Sequence, residues 1–516
     1  MLYNSFPFIF VFLPIALLGF HLSRRLSSHA PQLLWLFVIS CIFYAQWHKS
    51  HLVILLFSII FNFSVGVTIS RGVKPKILMA VGIAVNLAIL FYFKYTIFFL
   101  DTLSDIFQTS APDEIGIKQL ALPLGISFFT FQQIMYLTDA YRGRLAGNDP
   151  LRYAVFVTFF PQLIAGPIVH HETLSRQLAG KNPRKVRSYN LAIGGSLFVL
   201  GLFKKVVLAD NLAPYSDVIF AAAERGDAID MLSAWLATLA YSFQIYFDFS
   251  GYSDMAIGLG RMFGIRLPVN FNSPYKAVSI SDFWRRWHIT LSTFLRDHLF
   301  IPLGGSHNGA ARTALSLSVT MLLGGLWHGA SWTFVLWGGA HGVMLVINHI
   351  WRRIVGNRGT YSWAKPVCVL VTFLAVSFAW VLFRAQSLGA AVQIYTALLG
   401  GTSVFDSTAA MALTGAPLHK VAAGLPMVAA LVAQEPGSAA IVGGFGLVFG
   451  VLLLAWALPN SQSLMQYKGA TVRGTVWAFL RWRPSLPWLI TLLVLFQLSM
   501  VCLAKIDIRP FTYFAF

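Results

Sequence analysis

The sequence predicts an all-α, polytopic membrane protein, and three observations support that fold class. Hydrophobic residues make up 57% of the 516-residue chain, whereas charged residues make up only 11%. A soluble domain carries about 25% charged residues, so this chain lacks the polar surface that a water-soluble fold needs. Its apolar stretches approach the roughly 20 residues of a membrane-spanning helix, and they are continuous rather than alternating, which argues against a β-barrel. Ordinary cytosolic enzymes, secreted disulfide scaffolds and disordered chains are excluded.

The first apolar stretch predicts a retained helix rather than a cleaved signal peptide. Residues 1–20 have no basic segment before them, and the first basic residues, Arg24 and Arg25, follow the apolar segment. Further spans are predicted at 31–47, 51–69, 77–100, 117–138, 151–171, 189–209, 231–249, 313–327, 329–350, 366–384, 420–434, 438–458 and 486–504. We expect roughly 11–13 crossings, with the interrupted segments 117–138 and 151–171 forming re-entrant helices that line a cavity.

Basic residues predict the orientation of the chain in the membrane. Lysine and arginine total 38 against 19 acidic residues, a net charge of +19. In an apolar chain this excess indicates cytoplasmic loops rather than a nucleic-acid partner. The first and third loops are basic, through Arg24 and Arg25 and through the stretch 71–76, so they are predicted to be cytoplasmic and the N-terminus extracytoplasmic. The basic stretches 181–187, 352–353 and 473–483 are also assigned to the cytoplasm, where they would meet anionic lipid.

The chain reads as a single integral-membrane domain over residues 1–516. A dense core is expected at about 1–385, followed by a variable loop and C-terminal helices at about 386–516. Residues 400–447 are rich in alanine and glycine and poor in aromatic residues. No soluble domain, coiled coil or internal repeat is evident in the sequence.

Polar residues crowd abruptly into one stretch, 241–309. Ionisable groups at membrane depth cost about 2.5–3.5 kcal/mol each, so they usually face a cavity or a partner. We expect Asp248 and Asp254 to flank a Ser-Gly-Tyr-Ser turn and to hold a non-helical loop through three nearby arginines, Arg261, Arg285 and Arg286. Residues 279–300 are predicted to form one interfacial amphipathic helix that begins with a capping box of Ser279 and Asp282.

Two histidines in polar surroundings are the strongest candidates for chemistry. His328 lies in LLGGLWHGASWTFVLWGGAHG (322–342), where glycines spaced four apart allow close helix packing. A neutral imidazole in a dry site can accept and return a proton near pH 7. The alternative is a core histidine hydrogen-bonded across helices. His288 shares a predicted helix face with Trp284 and Ser292, and a structural role is the alternative there too. His341 is interpreted as structural.

Other patterns carry little chemistry. His48 with His51, and His170 with His171, have spacings that suit a metal but lack a convincing third ligand, so no metal site is predicted. The three cysteines lie far apart inside or beside apolar runs and are interpreted as small buried hydrophobic residues. No P-loop, nucleophile elbow or zinc signature is found.

Four blocks of sequence, taken together, resemble the membrane-bound O-acyltransferase (MBOAT) family. They are PQLIAGPIVHHETL (161–174), FDFSGYSDMAIGLGRMFG (247–264), NFNSPYKAVSISDFWRRWHITLSTFLRDHLFIPLGG (270–305) and the block 322–342 quoted above. The similarity is greatest to the alginate O-acetyltransferase, AlgI-like branch. The resemblance implies an MBOAT-like fold around a tunnel, in which the signature histidine falls on His328 and the second polar position falls on His288.

The resemblance also implies a reaction, which is acetyl transfer from a thioester to a hydroxyl. Acetyl-CoA or another acyl thioester would be the donor substrate, and no cofactor would be bound permanently. His328 would be the general base, and His288 would position or polarise the thioester carbonyl. Arg285, Arg286 and Lys276 would meet CoA phosphates, although anchoring to the inner leaflet explains them almost as well.

Tyr513 is a further candidate, because the final hexapeptide follows the last predicted helix and alternation puts it on the outer side. It would relay an acyl group to an extracytoplasmic partner, with an interfacial aromatic anchor as the alternative.

The acceptor and partners are expectations of the same kind. Alginate is the first candidate acceptor, with bacterial cellulose and peptidoglycan as the other candidates. The protein is expected in a bacterial inner membrane. Its expected partners there are membrane lipid and extracytoplasmic polysaccharide-modifying proteins. From a different class, a transporter or a scaffold of a polysaccharide export complex remains open.

Overall fold

The computed structural model describes most of the chain. The described residues are 1–23, 26, 28–108, 122–145, 147–179, 188–307, 309–356, 362–406, 436–465, 480–505 and 509–512. Within them, every regular element is a helix. Contacts divide these residues into two compact units. Unit 1 comprises Met1–Val199 and Tyr252–Pro268, and unit 2 comprises Leu200–Gly251 and Val269–Thr512.

Unit 1 is built from the N-terminal helices. In chain order they are α1 (Phe8–Ser23), α2 (Ala30–Ala45), α3 (Lys49–Ser70), α4 (Pro75–Phe107), α5 (Ile126–Tyr141), α6 (Pro150–Thr158), α7 (Phe160–Leu163) and α8 (His171–Leu178). Two long helices, α9 (Ser188–Arg225) and α10 (Met231–Met262), contribute residues to both units.

Unit 2 holds the remaining described helices. They are α11 (Ile280–Trp284), α12 (Ile289–Leu295), α13 (Gly309–His328), α14 (Trp332–Val355), α15 (Lys365–Arg384), α16 (Leu388–Leu398), α17 (Pro436–Ala457), α18 (Ser461–Leu464) and α19 (Leu486–Lys505).

Within the described ranges, eight helices are long and apolar enough to cross a membrane, and three shorter apolar helices accompany them. The chain is therefore a multi-pass membrane protein, and the predicted all-α polytopic class is confirmed. The predicted span at 420–434 lies outside the described residues, so the total of roughly 11–13 crossings stays a prediction. The single-domain assignment, with its core at about 1–385, also stays a prediction.

In unit 1 the helix over residues 151–171 is interrupted, whereas the expectation that this segment is re-entrant and lines a cavity stays a prediction. Asp149 caps α6 by accepting hydrogen bonds from the backbone N–H groups of Leu151 and Arg152 at 3.0 and 3.2 Å. The helix then stops at Phe159, whose ψ of 103° is not helical, and α7 ends four residues later. Gly166 follows, where a Cβ atom would lie 2.8 Å from the Pro161 carbonyl oxygen.

Two local predictions for the polar stretch are wrong. The expected Ser-Gly-Tyr-Ser loop is absent, because α10 runs through it as one continuous helix of 32 residues. Residues 279–300 do not form one helix either, since α11 ends at Trp284 and α12 begins at Ile289. The start of the stretch is as predicted, because the Ser279 hydroxyl accepts a hydrogen bond from the Asp282 backbone N–H at 3.2 Å.

The expected close packing at the spaced glycines is present between α13 and α14. A Cβ atom added to Gly325 would lie 3.0 Å from the Cα atom of Gly338, and one added to Gly338 would lie 3.1 Å from the Cα atom of Gly325. The two backbones are therefore in direct contact, and no side chain fits between them. Ser331 begins α14 by accepting a hydrogen bond from the Thr333 backbone N–H.

The carboxylate of Asp248, in α10, pairs with a lysine rather than with the predicted arginines. Lys205 Nζ lies 3.0 Å from Asp248 Oδ1 and 2.8 Å from Asp210 Oδ1, and all three side chains are buried. Lys205 stands in a π-helical turn of α9, Lys204–Ala209, a distortion that inserts one extra residue into the helix. This ion cluster links α9 to α10 on the polar side of unit 2.

Replacing Lys205 by methionine is expected to destabilise the protein by about 3–5 kcal/mol, because two buried carboxylates lose their counter-charge. Lys204→Met is the matched control, since the Lys204 ammonium donates to a neutral group, the Ser461 hydroxyl, at 2.8 Å. Thermal unfolding of both variants in detergent, followed by tryptophan fluorescence, measures the difference. Equal melting temperatures would show that the Lys205 cluster contributes nothing to stability.

Candidate active site

His328 is the last residue of α13, and aromatic rings surround its imidazole. The ring centroids of Trp327, Trp337 and Phe383 lie 4.9, 5.1 and 5.3 Å from that of His328. The side chain is only 4% exposed. The helix ends here because the chain turns at Gly329, and the contact between α13 and α14 brings Trp337 against the imidazole.

His288 stands at the break between α11 and α12 and is fully buried. Its φ of +40° lies in the left-handed region, which is costly for a residue with a Cβ atom. The ring of Phe249, in α10, meets the imidazole edge to face with centroids 4.7 Å apart. Burial lowers the pKa of His288 to about 3, so the imidazole is neutral near pH 7.

The extended segment before α11 holds His288 in this conformation. The Asn270 carbonyl oxygen accepts a hydrogen bond from the Ile289 backbone N–H at 2.9 Å, and the Asn272 N–H donates to the Arg286 carbonyl oxygen at 2.9 Å. The Asn270 side chain adds a third connection, since its Oδ1 lies 3.1 Å from His288 Nδ1. These bonds offset the strain of the positive φ and fix the direction of the imidazole.

One indole ring touches both candidate histidines. The Trp327 ring centroid lies 6.5 Å from that of His288 and 4.9 Å from that of His328. Two residues that are 40 positions apart in the sequence are thus brought into contact with a single side chain. The pair is buried among aromatic rings, where electrostatic interactions and hydrogen bonds are stronger than in water.

His341, interpreted as structural, also lies in this aromatic cluster. The Trp284 indole N–H donates to His341 Nδ1 at 3.3 Å, and the Trp337 ring centroid lies 4.8 Å from that of His341. The side chain is fully buried. This bond ties α11 to α14 and so fixes the element that precedes His288.

The three cations proposed for phosphate binding have different surroundings. Arg286 is committed to Asp282, with Nε 3.0 Å from Oδ2. Lys276 donates to the Leu458 carbonyl oxygen at 2.7 Å, and burial together with the nearby Arg286 lowers its pKa. Arg285 is 67% exposed and lies 3.6 Å from the other Asp282 oxygen. Arg285 is therefore the most accessible of the three for an anionic group.

The described residues after α19 pack on the polar face of α10. Thr512 donates to Asp248 Oδ2 through its backbone N–H, at 2.8 Å, and through its hydroxyl. The Phe511 ring packs against Phe249 at a tilt of 54°, with centroids 5.1 Å apart, and Phe249 in turn touches His288. Tyr513, the proposed acyl relay, lies outside the described residues.

Sequence reasoning missed Asn270 and Phe249, the residues that hold and cover His288. Asn270 had a weak signal, because NFNS places two amides in the segment between α10 and α11. Its pairing with a histidine 18 positions later depends on the fold. Phe249 gave no signal, since it is one of 44 phenylalanines in the chain.

Comparison with known proteins identifies the family of this chain. The model of the membrane-bound O-acyltransferase family (MBOAT) matches residues 78–389, a range that includes both candidate histidines. The chain is 41% identical over 430 residues to the peptidoglycan O-acetyltransferase of Helicobacter pylori, which covers 78% of this chain and 80% of that protein. It is 41% identical over 405 residues to the probable alginate O-acetylase AlgI of Pseudomonas aeruginosa, covering 77% and 75%.

A more distant relative is the teichoic acid D-alanyltransferase of Bacillus subtilis, 27% identical over 274 residues, with 51% of this chain and 69% of that protein covered. The family match spans more than half of the chain, and the two nearer relatives cover over two thirds of it. The resemblance based on the four sequence blocks is thereby confirmed. The chain belongs to the membrane-bound O-acyltransferase family and is an acyltransferase.

Proposed function

We propose that this protein transfers an acetyl group from a cytoplasmic thioester, acetyl-CoA, toward hydroxyls of an extracytoplasmic polysaccharide, with alginate as the first candidate. The observation that carries the proposal is the pair of buried imidazoles, His288 and His328, which both contact the Trp327 ring. Relatives at 41% identity named as O-acetylating enzymes support the choice of the acetyl group.

The proposed reaction needs only groups that the site and its substrates supply. The acceptor hydroxyl oxygen attacks the thioester carbonyl carbon while His328 takes the hydroxyl proton. The carbon–sulfur bond then breaks, and the departing CoA thiolate takes the proton back from the imidazolium. A positioned base of this kind contributes typically 10²–10⁴-fold to the rate. The resemblance gives His288 the task of polarising the carbonyl, which requires a hydrogen on its Nε2 atom.

The CoA phosphates are proposed to approach from the cytoplasmic side, near Arg285. Its exposure favours it over Arg286 and Lys276, which already bind Asp282 and the Leu458 carbonyl. A guanidinium binds phosphate oxygens through two parallel hydrogen bonds, so Arg285 suits this task. Arg286 and Lys276 would contribute mainly positive potential.

The protein is proposed to lie in a bacterial inner membrane with its N-terminus outside the cytoplasm. This orientation follows from the basic first and third loops. Extracytoplasmic partner proteins would receive or present the polymer. Tyr513 remains the proposed relay. The residue before it, Thr512, binds Asp248, the neighbour in sequence of Phe249, whose ring contacts His288, and this supports the proposal.

Peptidoglycan is the second candidate acceptor. The relative from Helicobacter pylori is named for that activity and aligns with 430 residues of this chain. Both acceptors present sugar hydroxyls outside the cytoplasm, so the same site chemistry serves either.

Mass spectrometry of surface polymers from a deletion strain tests the proposal. O-acetyl groups are expected to disappear from alginate or from peptidoglycan, and the wild-type gene should restore them. Unchanged acetylation of every surface polymer would contradict an O-acetyltransferase function. Complementation with Tyr513→Phe tests the relay, because full acetylation by that variant would exclude it.

A further inference from the structure

The tautomer of His288 can be assigned from its partner, Asn270. Asn270 Oδ1 accepts a hydrogen bond from the Thr290 backbone N–H at 3.3 Å and one from the Thr290 hydroxyl at 3.0 Å. A backbone N–H can only donate, so the atom that it meets is the amide oxygen and not the amide nitrogen. This removes the usual ambiguity in the orientation of an asparagine side chain.

The amide oxygen then dictates where the hydrogen of the imidazole lies. Because an oxygen acceptor lies 3.1 Å from His288 Nδ1, that nitrogen must carry the hydrogen. A neutral imidazole has one N–H group, so Nε2 has none and offers a lone pair. Nε2 is buried, and it has no hydrogen-bond partner among the residues that the structure describes.

We propose that Asn270 is a positioning residue that keeps the hydrogen of His288 on Nδ1, so that Nε2 binds an N–H or O–H group of a substrate and cannot donate to the thioester carbonyl. The inference rests on the proposed acetyl transfer and changes the role of His288 within it. His288 accepts a hydrogen bond from a substrate instead of polarising the thioester carbonyl. Two sources supply such a donor: an amide N–H of the pantetheine arm of the thioester, and a hydroxyl of the sugar acceptor beside the reacting one. Proton removal stays with His328.

His341 shows that the fold sets the tautomer of each imidazole separately. The Trp284 indole can only donate, so the Nδ1 atom of neutral His341 accepts, and the hydrogen lies on Nε2. The two buried histidines therefore carry opposite tautomers. This contrast provides an internal control for a spectroscopic test.

The charged groups on neighbouring elements do not disturb the assignment. On α10, Asp248 lies beside Phe249 and is neutralised by Lys205. On α11, Asp282 is paired with Arg286. On α13, the titratable neighbour is His328, beyond the Trp327 ring. The side-chain partner of His288 Nδ1 is therefore a neutral amide, that of Asn270.

Nitrogen-15 NMR of the full-length protein in lipid nanodiscs, labelled at histidine, tests the tautomer without any enzymatic assay. The resonances that vanish in His288→Gln are expected to be those of a protonated Nδ1 and a bare Nε2. Those that vanish in His341→Gln should show the reverse pattern. A His288 signal with the hydrogen on Nε2 would overturn the proposal, and this result does not depend on whether the protein transfers acetyl groups.

The pH dependence of Asn270→Asp tests the role of Nε2 in the reaction. The new carboxylate still accepts from Nδ1, but its charge raises the pKa of His288, and below that pKa Nε2 becomes a donor. We expect the KM of the substrate that binds Nε2 to rise about tenfold as the pH falls through this pKa and to recover above it. Separate KM measurements for acetyl-CoA and for the sugar acceptor identify which substrate supplies the donor.

Asn272→Asp is the matched control, because it adds the same charge two residues away and its side chain binds Asn460 instead of His288. Its KM values should not show the added pH dependence. If acidification improves catalysis by Asn270→Asp, or if neither KM changes with pH relative to the control, Nε2 is not an acceptor for substrate. Failure of wild-type protein to transfer acetyl would refute the proposed function alone, since the NMR pattern still decides the tautomer.

Discussion

Replacement of His328 by alanine is expected to reduce O-acetylation by about 10²–10⁴-fold, with the protein still present in the membrane at its normal level. The imidazole is the group to which the proposed reaction assigns removal of the hydroxyl proton. Alanine leaves the surrounding rings of Trp327, Trp337 and Phe383 in place but supplies no proton acceptor. The measurements are the O-acetyl content of the surface polymer and the amount of protein in the membrane.

His307→Ala is the control for this variant. His307 is exposed in the connection that precedes α13 and has no part in the aromatic cluster described above. Its removal should leave acetylation unchanged. If His328→Ala retains full acetylation at a normal protein level, His328 is not the base.

Replacement of Gly338 by alanine is expected to lower the melting temperature sharply and to reduce activity with it. The added methyl group would overlap the Met321 carbonyl oxygen of α13, a backbone atom that cannot move aside alone. Overpacking of this kind costs about 1–3 kcal/mol or more. Because α14 also carries Trp337, separation of the two helices would displace a ring that lies 5.1 Å from His328.

Gly339→Ala provides a control at the next position of the same helix. A Cβ atom there would lie 3.5 Å from Leu322 Cδ2, which is an ordinary van der Waals contact. Alanine favours a helix over glycine by about 1 kcal/mol, so this variant should be as stable as the wild type or slightly more stable. Equal destabilisation of both variants would show that close backbone contact between α13 and α14 is not what Gly338 provides.

The fold class and the pairing of α13 with α14 could be predicted because their signals are local. The apolar composition indicates that the chain folds in a lipid bilayer. Glycines four residues apart mark a helix face that a second helix can approach closely. His328 was identified for the same reason, since the glycines and tryptophans around it are its neighbours in sequence.

The polar stretch could not be predicted correctly, because its interactions are distant in sequence. Asp248 was expected to pair with nearby arginines in a loop, yet Lys205 and Thr512 bind it within a continuous helix. The break at His288 requires a left-handed backbone, which glycine usually signals and histidine does not. Asn270 restrains His288 because the fold brings together two residues that are 18 positions apart, and no short stretch of the sequence indicates this contact.

The bond between Thr512 and Asp248 joins residues 264 positions apart, which determines when the site can be completed during biosynthesis. At about 5–20 residues per second, roughly 10–50 s separate the synthesis of these two residues on the ribosome. Lys205 precedes Asp248 in the chain, so a counter-charge is available while α10 enters the membrane. The carboxylate therefore meets its second partner only after α19 has left the ribosome, and a nascent protein in the bilayer forms the contact of Phe511 with Phe249, the ring beside His288, late in biosynthesis.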